Sequence, residues 1–466
     1  MAVTRRDFLR GATTVAGIGA LSPLLGNFAW ADVDPQAATR RRLVVIDMGG
    51  GNDGLNMVVP RTGTKRDVYT KVRPTIGLPA DTLRPLDRGG ADDGSLGLHA
   101  ALPTLHRLYR DDRLAIVQGV DYPNHSYSHF TSNDIWQAGN PTNIADSGWL
   151  GRHLDRVGIA QGELRAVGIG GPLPHALRGR TTSGAQVNSL GQTHFSDGTS
   201  ALAAARHAVY GRYDQHTAAE PVREAYGEMC RGTVSLDAAT RGLTAAQPGG
   251  VANLMLTART LLTANLGVEV VFISIGGYDT HTNEVSAHNT LYTDLDQAIE
   301  AFYFGTKGGA PITIGAVAGN GLPAPVGTAD VPGTPIGPLD PAIAAETLVM
   351  TFSEFGRRIG ENASGTDHGA AAPMMFIGPP QPAAGSGAVT LVPGLHSDHP
   401  NMGSVALPAD NLAMTTDVRG VYQAVLTKWV NDPTGARPDT GDPAFAALSG
   451  PSLESDGSLA GLFATA

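Results

Sequence analysis

The chain has 466 residues, a formal net charge of −10, 60 glycines and 31 prolines, and only 16% of its residues are charged. The acidic balance disfavours nucleic acid and anionic membrane surfaces as partners. A single cysteine, Cys230, excludes an intramolecular disulfide and a thiolate zinc cluster, so any metal must be held by His, Asp, Glu or Asn. High glycine and proline with low charge describe a loop-rich globular protein rather than a disordered one.

In chain order, Thr4-Arg5-Arg6-Asp7-Phe8-Leu9-Arg10 reads as a twin-arginine export signal. A weakly apolar stretch from Gly11 to Leu25 follows. Ala29-Trp30-Ala31 then supplies the small-x-small pattern that a signal peptidase cuts. Residues 1–31 are therefore expected to be a signal peptide. The expected location is the periplasm or the exterior, reached in the folded state through the twin-arginine translocase. That route raises the expectation of a metal acquired before export. Beyond residue 31 the balance is 30 basic to 42 acidic residues. No later apolar run reaches the roughly 18 residues a membrane span needs, so no transmembrane segment is expected in the mature chain.

Arg42–Met48 is an apolar run ending in Gly49-Gly50-Gly51, the pattern of a buried strand running into a glycine loop. Gly63–Gly97 reads as an irregular surface excursion. Leu114–Val117 and Ala166–Ile169 resemble the first strand. Residues 195–250 are Ala-rich and read as a helical insertion. Ala252–Asn265 has a helical pattern, and Val268–Ile275 reads as a strand. Asn283–Phe304 is expected to be a long helix with Leu291, Leu295, Ile299 and Phe302 on one face. Gly305–Pro341 reads as a second excursion. Thr347–Phe352 is expected to be a strand leading through a short helix to Thr366, and Met374–Ile377 another strand. Thr416–Val430 is expected to be a closing helix capped by Thr415 or Thr416. Residues 431–466 read as an irregular tail. Alternating strands and helices imply an α/β domain over residues 41–430 with a mostly parallel sheet. Its sites belong in loops at the carboxyl ends of the strands.

Residues with metal-ligand chemistry gather at those strand ends. Asp47 and Asp53 flank the first glycine loop, where a carboxylate can reach a cation. The alternative is a tight Asx-type turn closed by Asn52-Asp53-Gly54. His125-Ser126-Tyr127-Ser128-His129 precedes a helical pattern. A serine capping that helix places its neighbours where a phosphate or sulfate oxygen would bind. Ser126 or Ser128 is then a candidate nucleophile, with His125 and His129 beside it; the alternative is a capped polar turn. In Gly276-Gly277-Tyr278-Asp279-Thr280-His281, Asp279 and His281 point to one side of an extended chain and can share an ion. Asp367 and His368, being adjacent, suit two metals, or a metal and a substrate. His396 and His399 either complete a site or belong to an exposed loop. Glu354 and Arg357 are placed to orient ligands.

The motifs VVIDMGGGNDGLN, HSYSHF, SGWLGR, GGYDTH, TFSEFGR, GTDHG and TTDVRGV occur in that order between residues 41 and 430. With the twin-arginine start, this series resembles the domain of unknown function 1501 family. That family is similar to a branch of the alkaline phosphatase and sulfatase superfamily. The resemblance implies a three-layer α/β/α sandwich with one or two divalent metals (zinc, calcium, magnesium or manganese) at the strand ends. Carried over residue by residue, it implies Asp53 or Asp47 as the first ligand. Asp279 with His281, and Asp367 with His368, match the late ligand pairs. Ser126 or Ser128 lies where the hydroxyl nucleophile would be. The superfamily's final histidine has no clear counterpart, with His396 and His399 as candidates. The C/S-x-P-x-R sulfatase signature is absent, which argues against formylglycine chemistry.

The expected function is therefore metal-dependent hydrolysis of phosphate or sulfate esters, an anionic envelope glycan being one such substrate. The competing expectation is a non-catalytic cell-envelope protein that uses the fold to bind a glycan or an assembly partner. Dinucleotide-dependent oxidoreduction is disfavoured, because Gly49-Gly50-Gly51 and Gly54 lack G-x-G-x-x-G spacing.

Overall fold

The computed structural model describes residues 41–89, 92–142, 147–158, 164–187, 250–263, 267–313, 334–383, 385–400, 411–430 and 459–465. The expected signal peptide, Cys230, the expected 195–250 insertion short of Gly250, and most of the tail lie outside the described residues.

The chain opens with β1 (Arg42–Met48), all seven residues of which are buried. After the glycine loop come a single turn α1 (Gly54–Met57), β2 (Val58–Pro60), α2 (Gly63–Val72), β3 (Arg84–Asp87), β4 (Asp93–Leu98) and α3 (Pro103–Arg110). β5 (Leu114–Asp121) leads to α4 (His129–Ala138), α5 (Trp149–Val157), β6 (Ala166–Ile169) and β7 (Ala185–Val187). α6 (Gly250–Thr263), β8 (Val270–Ile275) and α7 (Glu284–Phe304) follow, then a small hairpin of β9 (Thr306–Lys307) and β10 (Ala310–Pro311). The last part holds α8 (Pro341–Ala345), β11 (Thr347–Phe352), β12 (Ala372–Ile377), β13 (Val389–Leu391), β14 (Gly394–His396), β15 (Thr416–Asp417), α9 (Val418–Ala424) and β16 (Phe463–Thr465).

Nine strands form the central sheet, ordered β14-β5-β12-β11-β1-β8-β6-β7, with β15 also pairing β5. β1 lies between β11 and β8, parallel to both. β12 alone runs against its neighbours β11 and β5. Such parallel strands are buried on both faces, which is why β1, β5, β8 and β11 read as unbroken apolar runs. Alternation along β1 serves two cores. Val44, Ile46 and Met48 pack with Leu105 and Leu108 of α3, Met255 and Leu261 of α6, and Leu295, Ile299 and Phe302 of α7. Leu43 and Val45 pack with Trp136 of α4, Trp149 and Leu150 of α5, and Val421 of α9. The protein is thus mixed α/β, built on a large, mostly parallel sheet.

Three expectations are corrected. Gly63–Gly97 is not irregular: it contains α2, β3 and all but the last residue of β4, and β3 and β4 join β2 in a three-stranded antiparallel sheet ordered β2-β4-β3. Its elements are short and polar, so they carry no clear periodicity. The segment from Ser353 to Ala371 contains no helix. Thr416 and Asp417 pair with β5 before the closing helix begins, and Asp417 rather than a threonine is the cap, accepting the Arg419 N–H at 2.9 Å. That helix ends in a π-helical turn, Val425–Trp429.

Candidate metal centre

The glycine loop after β1 approaches the loop after β8 too closely for any side chain. A Cβ on Gly50 (φ 122°) would lie 2.4 Å from the Asp279 nitrogen, and one on Gly51 (φ 78°) 2.2 Å from the Phe355 ring. Glycine alone permits both the contact and the backbone conformation. Gly50 N–H donates to both oxygens of Glu354, at 2.8 and 3.1 Å. Arg357, its side chain fully buried, ties the loops together. It donates to the carbonyls of Gly50, Gly51 (2.6 Å), Tyr278 (3.1 Å) and Thr366 (3.0 Å), and to Asp279 Oδ1 at 2.7 Å. The carboxyl ends of β1, β8 and β11 are thereby fixed around one point.

Three histidines converge on Asp279 there. His281 Nε2 lies 3.0 Å from Asp279 Oδ1 and 3.0 Å from His368 Nε2. His368 Nε2 lies 3.2 Å from Asp279 Oδ1, and His129 Nε2 lies 3.5 Å from Asp279 Oδ2. Second partners decide the tautomers. His368 Nδ1 donates to the Tyr127 carbonyl at 2.8 Å, and His129 Nδ1 to Glu354 Oε1 at 2.8 Å. Each bond keeps a proton on Nδ1 and turns the Nε2 lone pair inward, the arrangement by which metal-binding imidazoles are oriented. His129 Nε2 is buried without a hydrogen-bond partner. Burial opposes ionisation of Asp279, but the hydrogen bond and the charge of Arg357 hold its carboxyl down, at about 2. Donors about 2.1 Å from a tetrahedral ion lie about 3.4 Å apart. The ligand atoms of His129, Asp279 and His368 lie within 4.8 Å of one another, and with one of them orphaned and buried they fit a cation, with His281 beside them.

The remaining sequence candidates fall around this group or away from it. Asp367 stands behind His281, 3.6 Å from its Nδ1, and also accepts from Asn362; it is an outer partner of a ligand. Ser128 is the N-cap of α4, accepting the Thr131 N–H at 3.5 Å, and it is exposed. Ser126 Oγ accepts the Ser128 N–H at 3.3 Å. His125 Nδ1 pairs with Asp121 at 3.0 Å, and its Nε2 is buried and unpartnered. His396 and His399 bond instead to the carbonyls of Val392 and Pro400. Asp47 is buried, with Oδ1 unpartnered; burial, and then the Glu354 charge, push its carboxyl well above the usual range. A neutral Asp47 is a poor first ligand.

Asp53 lies apart from the Asp279 group. It is wholly buried and receives both terminal nitrogens of Arg73, the longer bond being 3.0 Å, and its Oδ1 also accepts the Leu55 N–H at 3.2 Å. It belongs to a second group, Asp53, Glu284 and His288, whose ligand atoms lie within 4.8 Å of one another. Burial alone would raise Asp53, but the Arg73 charge and hydrogen bonds hold it at about 2. Burial and then the Asp53 charge push Glu284 up to about 9. Arg73 supplies the positive charge that a metal would otherwise bring. Glu284 Oε2 accepts from the Thr366 hydroxyl at 2.6 Å, and His288 Nε2 meets the Thr280 hydroxyl at 3.0 Å. The sequence reading missed this group, although Glu284 and His288 stand one turn apart at the start of a long helix. It also treated His129 only as a neighbour of the nucleophile.

Fold and site together define a mostly parallel α/β protein with a three-histidine, one-aspartate group at its strand ends. A family model described as "Protein of unknown function (DUF1501)" matches residues 117–305. The span runs from within β5 to just past α7 and includes His125–His129 and Asp279–His281. It supports the resemblance drawn from the motifs. No curated protein matches the chain.

Proposed function

We propose that the protein is an exported, metal-dependent hydrolase of phosphate or sulfate esters, built on an alkaline phosphatase-like α/β/α sandwich. The carrying observation is the convergence of His129, His281 and His368 Nε2 on the Asp279 carboxylate, with Glu354 and the Tyr127 carbonyl holding two of the imidazole tautomers. Three imidazoles and one carboxylate suit zinc or manganese better than calcium or magnesium, which prefer all-oxygen sets. A divalent metal held there supplies a Lewis acid and lowers the pKa of a bound hydroxyl or water.

The surrounding chain does the rest. Glu354 and Arg357 hold His129 and Asp279 in place. We assign Ser128 as the nucleophile: its hydroxyl is exposed, and it lies between Tyr127, which bonds a ligand, and His129, which is one. The N-terminus of α4, which Ser128 caps, favours an anion. Arg358, its guanidinium 5.6 Å from the Tyr127 ring, adds positive charge. The test is elemental analysis of the protein purified without chelator, with hydrolysis of p-nitrophenyl phosphate and p-nitrophenyl sulfate. About one metal per chain is expected, together with turnover of one ester that Ser128→Ala abolishes. A protein that neither carries nor takes up metal would overturn the reading.

A second reading, glycan binding without turnover, is favoured by Phe130. It follows His129 directly and is 86% exposed, an apolar ring available to stack on a sugar.

A further inference from the structure

A separate cleft of about 640 Å³ opens beside the N-terminus of α7, a size typical of small-ligand sites. Ile76, Leu78, Pro79, Ala100 and Val285 make one wall apolar. No Asp, Glu, Lys or Arg side chain lines it among the described residues, but hydrogen-bond donors do. Asn283, at φ 52°, precedes the 21-residue helix and makes no side-chain cap. Ser364 takes the N–H groups of Asn283 (3.1 Å, by its hydroxyl) and Glu284 (2.9 Å, by its carbonyl). The N–H groups of Val285 and Ser286 are left without a capping partner among the described residues, at the positive end of the helix.

His99, only 4% exposed, also lines the cleft and adds an independent donor. Its Nδ1 accepts the Ala101 N–H at 3.0 Å, so in the neutral ring the proton sits on Nε2. Burial lowers its pKa to about 4, which keeps the ring neutral. Nε2 has no hydrogen-bond partner among the described residues and is not among the sealed-off buried atoms, so it opens onto the cleft.

We propose that this cleft binds a small carboxylate with an apolar body. The carboxylate accepts from the Val285 and Ser286 N–H groups and from His99 Nε2, and the body lies on the Ile76–Pro79 wall. The site is independent of the metal centre, and nothing in the ester-hydrolase reading requires it.

Hexanoate and hexanamide are the probes, titrated by calorimetry while NMR follows the His99 ring. Hexanoate should bind saturably and shift the His99 signals, and hexanamide should bind at least tenfold more weakly. Ser286→Asp places a carboxylate at the third helical position, where it favours the helix but repels the ligand. It should weaken hexanoate at least tenfold without lowering the melting temperature, whereas Ser286→Ala should bind like the unmodified protein. Absence of saturable binding, equal affinity for the amide, or hexanoate affinity unchanged in Ser286→Asp would each overturn the proposal. The last outcome would place the carboxylate elsewhere, for instance on the metal centre.

Discussion

Two groups of His, Asp and Glu occupy this molecule, and they use the same side chains in opposite ways. Around Asp279 the imidazole lone pairs point inward at a half-exposed carboxylate, and one of them is orphaned. Around Asp53 the carboxylate is sealed from solvent and already holds the Arg73 guanidinium, with Glu284 raised toward the neutral form. Arg357 takes one oxygen of the first carboxylate and leaves three imidazoles turned toward it, whereas Arg73 takes both oxygens of the second. Proximity of ligand-type residues therefore does not separate a metal centre from a structural network; exposure and the carboxylate oxygens that an arginine leaves free do. The two are joined through single residues. Thr280 lies between Asp279 and His281 and meets His288. Thr366 precedes Asp367 and His368 and bonds Glu284. The buried group thus braces both ligand loops from beneath.

The comparison breaks most sharply on metal content. Asp279→Asn and His368→Ala should each lower zinc affinity at least a hundredfold, read by competition with a chelating dye, with little change in the circular dichroism spectrum. Retention of metal by both would dissolve the distinction between the groups. Arg73→Met should act on folding instead. It strands Asp53 in the interior without its partner, and breaking a buried pair from one side costs about 3–5 kcal/mol. Urea unfolding would read that loss. A milder effect is expected of Glu354→Gln, which weakens the acceptor for the His129 Nδ1 proton. Loss of such an outer partner typically costs about 10–100-fold in metal affinity. An unaltered affinity would mean that the Phe355 ring, 4.8 Å from the His129 ring, suffices to hold it.

Much of this frame is legible in the sequence, and the reason is burial. β1, β6 and β11 are continuous apolar runs because a central parallel strand has no solvent face, and their observed limits match the runs residue for residue. The ligand loops are also legible: Asp279 and His281 share a side because they are two residues apart. Other features are set by contacts that local sequence does not encode. Asp53 looks like a strand-end ligand until Arg73, twenty residues on, is folded against it. Gly63–Gly97 hides α2 and two short strands, because edge elements with glycine and exposed polar residues lack a period. His129 becomes part of the Asp279 group only when β5 is laid in the same sheet as β8 and β11, with β12 between it and β11. Asp367 and His368 separate into outer partner and ligand because Arg357 pins the Thr366 carbonyl and turns the following residues.

The smallest predicted effect sharpens the contrast without touching the metal centre. Glu284 in the folded protein holds its proton up to about 9, because burial and the Asp53 charge both disfavour a second carboxylate. Unfolded, it titrates near its ordinary value of about 4.3. Between those values the folded state binds more protons than the unfolded one. This contribution to stability is thus complete below about pH 4.3 and is lost as pH rises toward 9. Asp53 has the opposite sign. Held at about 2, it contributes above its ordinary range and loses that contribution only in strong acid. Glu284→Gln keeps an acceptor for Thr366 and a donor toward Asp53 but cannot titrate. Its urea midpoint should therefore gain on that of the unmodified protein as pH goes from 5 through 7 to 9, with metal content the same in both. Parallel pH profiles would mean that Glu284 is ionised in the fold. Arg73 would then balance two carboxylates, and the second group would be short of positive charge.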